Sequence, residues 1–241
     1  MNFETGEIFY IDKPLKWTSF DVVNKIRLML KQTLGIKKIK VGHAGTLDPL
    51  ATGIVTVCIG RATKKIDELM GHDKEYVATL RFGATTPSFD LEKEIDATYP
   101  TEHLTREMIE NALKEHFTGE IEQTPPLFSA IRVNGKRAYE LARKGSTDVE
   151  LKSRKVTVYS IGIEECDLPD VTLRIRCSKG TYIRSLARDI GLAVGSGAHL
   201  IRLERVAVGN VDKSAALTLE QLQKLFDAEK EAQGIDTEEK Q

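Results

Sequence analysis

The sequence predicts an α+β protein with a mixed, mostly antiparallel central sheet flanked by helices and loops. Strand-like and helix-like segments are interspersed without the regular alternation of a doubly wound parallel sheet. The clearest strand pair, Val156–Ile163 and Val171–Cys177, is separated by an acidic turn that contains Pro169. Of the 241 residues, 41% are hydrophobic, which is enough for a buried core and too many for a disordered chain.

The first elements follow from apolar patterning and from turn residues. Thr18 and Ser19 are candidate caps for an amphipathic helix, since Val22, Ile26 and Leu30 share one of its faces. The other elements predicted up to residue 82 are a strand at Glu7–Asp12, a basic connector at Thr33–Val41, a loop at His43–Thr52, a buried strand at Ile54–Ile59, a short helix at Lys65–Met70 and a strand at Tyr76–Phe82.

The rest of the chain continues this mixture. The last helix should begin at a capping box formed by Thr218 and Gln221 and end near Glu229. Between these regions the sequence predicts an irregular excursion at Pro87–Pro100, a helix at Thr105–Phe117, an interrupted extended segment at Ile121–Val133, a short helix at Ala138–Arg143, the strand pair named above, a helix at Tyr182–Val194 and a strand at Leu200–Val208.

Charge divides the chain into a folded part and a tail. Residues 227–241 hold six acidic and two basic side chains and few apolar ones, so we expect a disordered tail after a single folded domain at 1–226. The stretches 132–160 and 172–207 each carry a net charge of +5. Such stretches are typical of a face that binds a polyanion, although solvated helix and strand faces would look the same.

Several classes of protein are excluded. The N-terminus carries two acids and no basic stretch, and no apolar run approaches the roughly 20 residues of a membrane span, so we expect a cytoplasmic protein. Cys58, Cys166 and Cys177 form no disulfide or zinc pattern, and the five histidines lack metal-ligand spacing. Phosphate-loop and dinucleotide-binding motifs are absent, so neither a metal nor a cofactor is expected.

The stretch GHAGTLDPLATG at 42–53, called the Asp48 loop below, is the strongest candidate for chemistry. It combines three glycines and a proline with one acid, Asp48, and one histidine, His43. Catalytic groups tend to lie on loops held by a rigid scaffold. A lone carboxylate in such a loop can also serve only as an Asx turn or a helix cap.

Two basic segments are further candidates. In CSKGTYIRSLARD, at 177–189, Tyr182 and Arg184 stand at the start of a helix, and Arg184 and Arg188 share one helical face. This arrangement suits a stacked base with phosphate contacts, or else a half-buried tyrosine with two solvated arginines. The third candidate, SAIRVNGKRAYELARKG at 129–145, is rich in basic side chains.

These motifs together resemble the TruB family of tRNA pseudouridine synthases. The resemblance runs from about residue 7 to 221 and departs at Trp17, at Phe128 and at TTPSFD (85–90), where the family usually has a loop rich in Thr-Asp-Thr. We expect no C-terminal PUA domain of the kind that many members carry. The segments that carry it, in the family's order, are DKP at 12–14, TSFD at 18–21, GHAGTLDPLATG at 42–53, GRATK at 60–64, KEY at 74–76, PPLFSAIRVNGKRAYELARKG at 125–145 and CSKGTYIRSLARDIG at 177–191.

The resemblance implies a pseudouridine synthase fold and isomerisation of uridine to pseudouridine at position 55 in the T-loop of tRNA, without a cofactor. It identifies Asp48 as the reacting carboxylate, Arg184 as its partner and Tyr76 as the residue that stacks on the flipped base. Tyr182 and Leu203 would line the pocket, and His43 would contact the opened RNA loop. The expected partner is the T-arm of tRNA, and the expected state is a monomer.

Two rival interpretations stay open at this point. The fold could serve as a non-catalytic RNA-binding or tRNA-folding module, although Asp48, Tyr76 and Arg184 are all intact. Alternatively, Asp48 could serve a hydrolase that cleaves a glycosidic bond. Ordinary glycosidases use two carboxylates, and the Asp48 loop contains one.

Overall fold

A computed structural model of the chain describes residues 1, 3, 5–128, 132–133, 136–137 and 151–235. The helix predicted at Ala138–Arg143 and most of the basic segment at 129–145 lie outside the described residues. By their internal contacts the residues form two compact units. The first unit contains Met1–His72 and Glu204–Gln241, and the second contains Asp73–Leu203.

The predicted elements that lie within the described residues appear in their predicted order, with bounds shifted by a few residues, and short strands that were not predicted occur between them. The strands are β1 (Glu7–Lys13), β2 (Val41–His43), β3 (Ala51–Ile59), β4 (Lys74–Phe82), β5 (Ala84–Thr85), β6 (Ala97–Thr98), β7 (Gly119–Gln123), β8 (Arg132–Val133), β9 (Lys136–Arg137), β10 (Arg154–Asp167), β11 (Asp170–Cys177), β12 (Ala198–Val208) and β13 (Val211–Asp212). The helices are α1 (Ser19–Leu34), α2 (Ile66–Met70), α3 (Arg106–His116), α4 (Ile183–Ala193) and α5 (Leu219–Gln233), with 3-10 turns at Gly60–Lys65 and Lys213–Ala215.

In the first unit, strand β3 lies between β1 and β2 and pairs antiparallel with both. Its side chains are almost continuously apolar, and all but one of them are buried. Helix α1 packs against β2 and α5. Thr18 caps α1, and the helix buries the face that the periodicity predicts, including Val22, Ile26 and Leu30. This packing fixes both ends of the Asp48 loop, which connects β2 to β3.

In the second unit, the strand order is β4-β11-β10-β7, and every pair is antiparallel. The pairing of β10 with β11 confirms the strand pair predicted from the sequence. Helix α3 packs against β10 and α4, and α4 packs against β4. The antiparallel pairing and the flanking helices confirm the predicted α+β class.

The end of the described chain differs from the prediction. Helix α5 begins at its predicted capping box but continues to Gln233, so the expected disorder is wrong for residues 227–233. The helix persists because Phe226 is fully buried against Phe3 and Phe9, and because the Met1 ammonium pairs with Glu229 at 2.7 Å. A left-handed Gly234 then ends the helix. The domain boundary at residue 226 stays a prediction.

Among the helices of the described residues, none is long and apolar enough to cross a membrane.

Candidate active site

Asp48 lies half-buried in a turn of the loop between β2 and β3. Its carbonyl oxygen accepts a hydrogen bond from the Ala51 N–H at 3.0 Å, and the Ala44 N–H donates to Thr56 at 2.9 Å. These bonds fix the backbone before and after the carboxylate. A fixed loop of this kind favours a site over a mobile connection.

Ser19 and Lys13 hold the same loop from two other elements. The Ser19 hydroxyl accepts from the Leu47 N–H at 2.8 Å and faces the Leu47 carbonyl at 3.2 Å, so it satisfies both backbone groups of the residue before Asp48. The Lys13 ammonium is 1% exposed and donates to the carbonyls of Trp17 at 2.6 Å, Pro14 at 2.9 Å and Pro49 at 3.4 Å. The turn is therefore anchored on both sides of the carboxylate.

The electrostatics of the Asp48 loop are those of a carboxylate beside two buried cations. Burial lowers the pKa of Lys13 to about 8, the negative charge of Asp48 opposes that shift, and the positive charge of Arg205 adds to it. Arg205 is 1% exposed and donates from Nε to the Ile54 carbonyl at 2.6 Å. Lys13 and Arg205 therefore place two buried positive charges around the loop that carries Asp48.

His43 lies at the end of β2, in the same unit as Asp48. Burial lowers the pKa of its imidazole, and the charge of Arg205 lowers it further. Its Nδ1 is buried and has no hydrogen-bond partner among the described residues. The ring is therefore neutral near pH 7, a form suited to stacking on a base.

Tyr76 lies in the second unit, on β4 opposite Ile175 of β11. It is 8% exposed and belongs to the buried face of the strand. The ring is thus held by the sheet rather than by a loop. Leu203, the last residue of this unit, is half-buried on β12.

The start of helix α4 is held by a residue that the sequence prediction missed. Tyr182 is its N-cap, and the buried Gln123 side chain binds both of its backbone groups. Gln123 accepts from the Tyr182 N–H at 2.7 Å and donates to the Tyr182 carbonyl at 3.0 Å. The Arg154 guanidinium lies 4.9 Å from the centre of the Tyr182 ring. The tyrosine is therefore fixed through its backbone and covered by a cation.

Arg184 is 4% exposed, which excludes the solvated arginine considered above. Its Nε lies 3.7 Å from the carboxylate of Asp90, and it donates to the carbonyls of Phe128 at 3.0 Å and Ser88 at 3.4 Å. Asp90 is itself buried and was missed because it lies near the start of the predicted irregular excursion at Pro87–Pro100, where no residue was given a role. Arg188 is also engaged, since its guanidinium lies 4.8 Å from the centre of the Phe89 ring and pairs with Asp189 at 2.7 Å.

The basic stretch at 172–207 is partly neutralised at the surface of the second unit. Arg174 pairs with Glu75 at 2.6 Å and with Glu164 at 2.5 Å, and Arg176 pairs with Asp73 at 2.5 Å. Arg184 and Arg188 are also paired with carboxylates. The net charge of this stretch therefore overstates the positive charge that is available to bind a polyanion. Among the described residues, no cluster of histidine, cysteine and carboxylate side chains has the arrangement of a metal site.

Comparison with known families decides between the interpretations. Residues 31–183 match the N-terminal domain of the TruB family of pseudouridylate synthases, and residues 184–237 match the C-terminal domain of tRNA pseudouridylate synthase B. The chain belongs to the TruB family. As a pseudouridylate synthase it is an isomerase, as the resemblance implied.

Curated TruB relatives are similar over almost their whole length. The chain is 62% identical to the tRNA pseudouridine synthase B of Phocaeicola vulgatus over 227 residues, which cover 94% of this chain and 96% of the relative. It is also 62% identical to that of Parabacteroides distasonis, over 92% of this chain and 94% of the relative. These similarities extend across both compact units.

Solved structures share the TruB-family fold at lower identity. A chain in the crystal structure of a Cbf5-Nop10-Gar1 complex is 33% identical with a TM-score of 0.71, and the match covers 97% of this chain but 58% of that one. A chain in the structure of an H/ACA RNP bound to a substrate RNA containing 2'-deoxyuridine is 30% identical with a TM-score of 0.67 over 98% of this chain and 57% of that chain. These matches confirm the pseudouridine synthase fold.

Two of the three departures from the TruB pattern, Trp17 and Phe128, make contacts through their backbones. The Trp17 carbonyl accepts from Lys13, and the Phe128 carbonyl accepts from Arg184. A carbonyl contact does not depend on the side chain of the residue that provides it. The substitutions therefore leave these two contacts intact.

Proposed function

We propose that the chain isomerises uridine to pseudouridine at position 55 in the T-loop of tRNA, with Asp48 as the reacting carboxylate and no cofactor. The observation that carries this proposal is the anchoring of Asp48. Its loop is held by Ser19 of α1 and by two buried cations, Lys13 of β1 and Arg205 of β12. Burying two charges around one loop is costly, which supports a functional role for the residue that the loop carries.

The reaction conserves atoms, so it needs no oxidant or co-reactant. The bond between C1′ of the ribose and N1 of the uracil breaks, the uracil rotates, and a bond forms between C1′ and C5. The proton on C5 leaves, and N1 gains one. Asp48 acts as a nucleophile or as an electrostatic partner of the sugar or the base, and a confined pocket keeps the detached uracil close to C1′.

The other predicted residues have proposed roles in binding a flipped-out uridine. The uridine must leave its stack, which costs a few kcal/mol. We assign stacking on the flipped base to Tyr76, the pocket walls to Tyr182 and Leu203, and contact with the opened RNA loop to His43. Arg184 would be the partner that orients the carboxylate of Asp48. These roles are supported by the burial of Tyr76 and by the fixed backbone of Tyr182.

The partner and setting follow from the substrate. The T-arm would be bound largely through phosphate contacts, and its binding would weaken with added salt. We propose a cytoplasmic location, because the proposed substrate, tRNA, is found in the cytoplasm. We also propose that the active state is a monomer. Light scattering of the chain, alone and with tRNA, tests the last point.

The deciding experiment uses unmodified tRNA and maps pseudouridine after incubation. Asp48→Asn should abolish isomerisation while tRNA binding stays within about tenfold, because phosphate contacts supply the affinity. Asp67→Asn, on the exposed surface of α2, is the matched control and should retain full activity.

The same assay separates the rivals. Release of free uracil without pseudouridine would indicate a glycosidic hydrolase. If the wild-type protein binds tRNA but forms neither pseudouridine nor free uracil, it is a non-catalytic module. Full turnover by Asp48→Asn would contradict the assignment of Asp48.

A further inference from the structure

Arg205 lies in strand β12, and only 1% of its surface is exposed. A guanidinium remains charged at all ordinary pH values and carries five N–H donors in one plane. Taking such an ion out of water costs several kcal/mol unless hydrogen bonds and opposite charges compensate. The groups to which Arg205 donates therefore indicate why a cation is retained at this position.

The acceptors of Arg205 are carbonyls on both sides of Asp48. Nε donates to Ile54 at 2.6 Å, Nη2 donates to Gly45 at 3.2 Å, and Nη1 faces the Thr46 carbonyl at 3.5 Å. Gly45 and Thr46 precede the carboxylate, and Ile54 follows the last residue of the loop. One rigid group thus joins the beginning of the Asp48 loop to its end.

The backbone of Arg205 makes a second, independent contact. Gly53, the last residue of the loop, has a φ of +96°, and a Cβ atom placed on it would lie 2.2 Å from the Arg205 carbonyl oxygen. Only glycine permits this conformation and this approach at low cost. The loop therefore rests on β12 at the residue whose side chain also holds it.

We propose that Arg205 is a positioning residue for the isomerisation, which holds Asp48 in its reacting position by tying together the two ends of the Asp48 loop. The inference rests on the proposed function, which assigns the chemistry to Asp48. Arg205 acts through the loop and does not touch the substrate. A lysine would keep the charge, but its single ammonium could not span the acceptors that the planar guanidinium reaches.

The test is Arg205→Lys, measured by single-turnover rate and by tRNA affinity. The rate should fall about 100-fold, since a displacement of about 1 Å can cost that much, while the Kd stays within about threefold. The matched control is Leu222→Ala, a fully buried position on α5 in the same unit. It should lower the melting temperature by several degrees, because it leaves a cavity in the core, and it should leave the rate unchanged wherever the protein is folded.

Amide hydrogen exchange gives a second readout, and its first measurement needs only the wild-type protein. In the wild-type protein, the amides of Leu47 and Ala51 should be protected within about tenfold of the Val55 amide in β3, as expected if the loop opens only with the core. In Arg205→Lys their protection should drop relative to Val55. Loop amides that exchange about 1000-fold faster than Val55 in the wild type would overturn the inference.

The outcomes keep the two proposals apart. A wild-type rate in Arg205→Lys, with Asp48→Asn inactive, overturns the positioning role and leaves the proposed function standing. Activity in Asp48→Asn overturns the proposed function itself. A rate loss in Leu222→Ala equal to that in Arg205→Lys would reduce the effect to lost stability and also overturn the inference.

Discussion

At the residue scale, the unusual feature of the first unit is a pair of fully buried cations. Among the described residues, Lys13 and Arg205 are the largest with less than 2% exposure, and both donate to backbone carbonyls of the Asp48 loop. Buried charges are costly and are found where they hold or perturb a functional group. Their common target is the segment that carries Asp48.

The pKa of Lys13 predicts a pH dependence of stability. Its folded value of about 8 lies below the ordinary 10.5, so between these values the unfolded chain binds more protons than the folded one. The stabilisation that comes from deprotonating the buried Lys13 is fully present above pH 10.5 and is lost as the pH falls through 8. The unfolding free energy of the wild type minus that of Lys13→Met should therefore rise with pH, by up to about 1.4 kcal/mol per unit. Urea titrations from pH 7 upwards measure it, and a constant difference would contradict it.

Tyr76 offers a second prediction at this scale. Tyr76→Phe keeps the ring for stacking and should lose most of the activity if the hydroxyl assists removal of the C5 proton. Tyr76→Leu should also lose affinity, because stacking is worth about 1–3 kcal/mol per base. Single-turnover rates and tRNA Kd values separate the two effects. Equal rates for Tyr76→Phe and the wild type would make Tyr76 a stacking platform alone.

At the element scale, two helices begin in the same way but serve different purposes. Capping boxes start α1 at Thr18 with Asp21 and α5 at Thr218 with Gln221. The first residue of α1, Ser19, also binds both backbone groups of Leu47, so the start of this helix is part of the scaffold of the site. The start of α5 has a stabilising role only.

This contrast predicts different outcomes for two similar losses of a hydroxyl. Ser19→Ala leaves the Leu47 backbone groups unsatisfied and should cost about 1–3 kcal/mol of stability and about tenfold in rate. Thr218→Ala should cost about 1 kcal/mol and leave the rate unchanged. Unfolding curves and single-turnover rates provide the comparison. An equal rate in both variants would show that Ser19 has no part in positioning the loop.

At the scale of the whole molecule, the C-terminal helix joins the two ends of the described chain within the first unit. Phe226 packs against Phe3 and Phe9, and Glu229 pairs with the Met1 ammonium. The acidic residues 227–233 are thus part of a folded element despite their composition. Composition predicts disorder poorly where a helix has a buried face and a cap at each end.

Truncation distinguishes the helical part of this region from the rest. A chain ending at Gly234 should melt within about 1 °C of the full chain, because no buried contact of the described residues is removed. A chain ending at Phe226 should melt several degrees lower, since the last turns that hold Phe226 in place are lost. Thermal unfolding by circular dichroism measures both. Identical melting temperatures would restore the prediction of a disordered tail from residue 227.

The sequence determined the elements of this protein and the position of its principal candidate residue. Apolar periodicity and caps act over a few residues, so α1, the β10–β11 pair and the start of α5 were all predictable. The density of glycine and proline around Asp48 marked the loop, and the order of the motifs identified the family.

Only the tertiary structure decided what holds the site together. Arg205 and Gly45 are 160 positions apart, and Gln123 and Tyr182 are 59 apart. Asp90 and Arg184 likewise come from an irregular excursion and a helix. Whether a charged side chain is solvated or buried depends on what the fold packs around it, and no local pattern encodes that. The sequence therefore indicated the candidate reacting residue, Asp48, in one loop. The long-range contacts that hold the site were visible only in the folded chain.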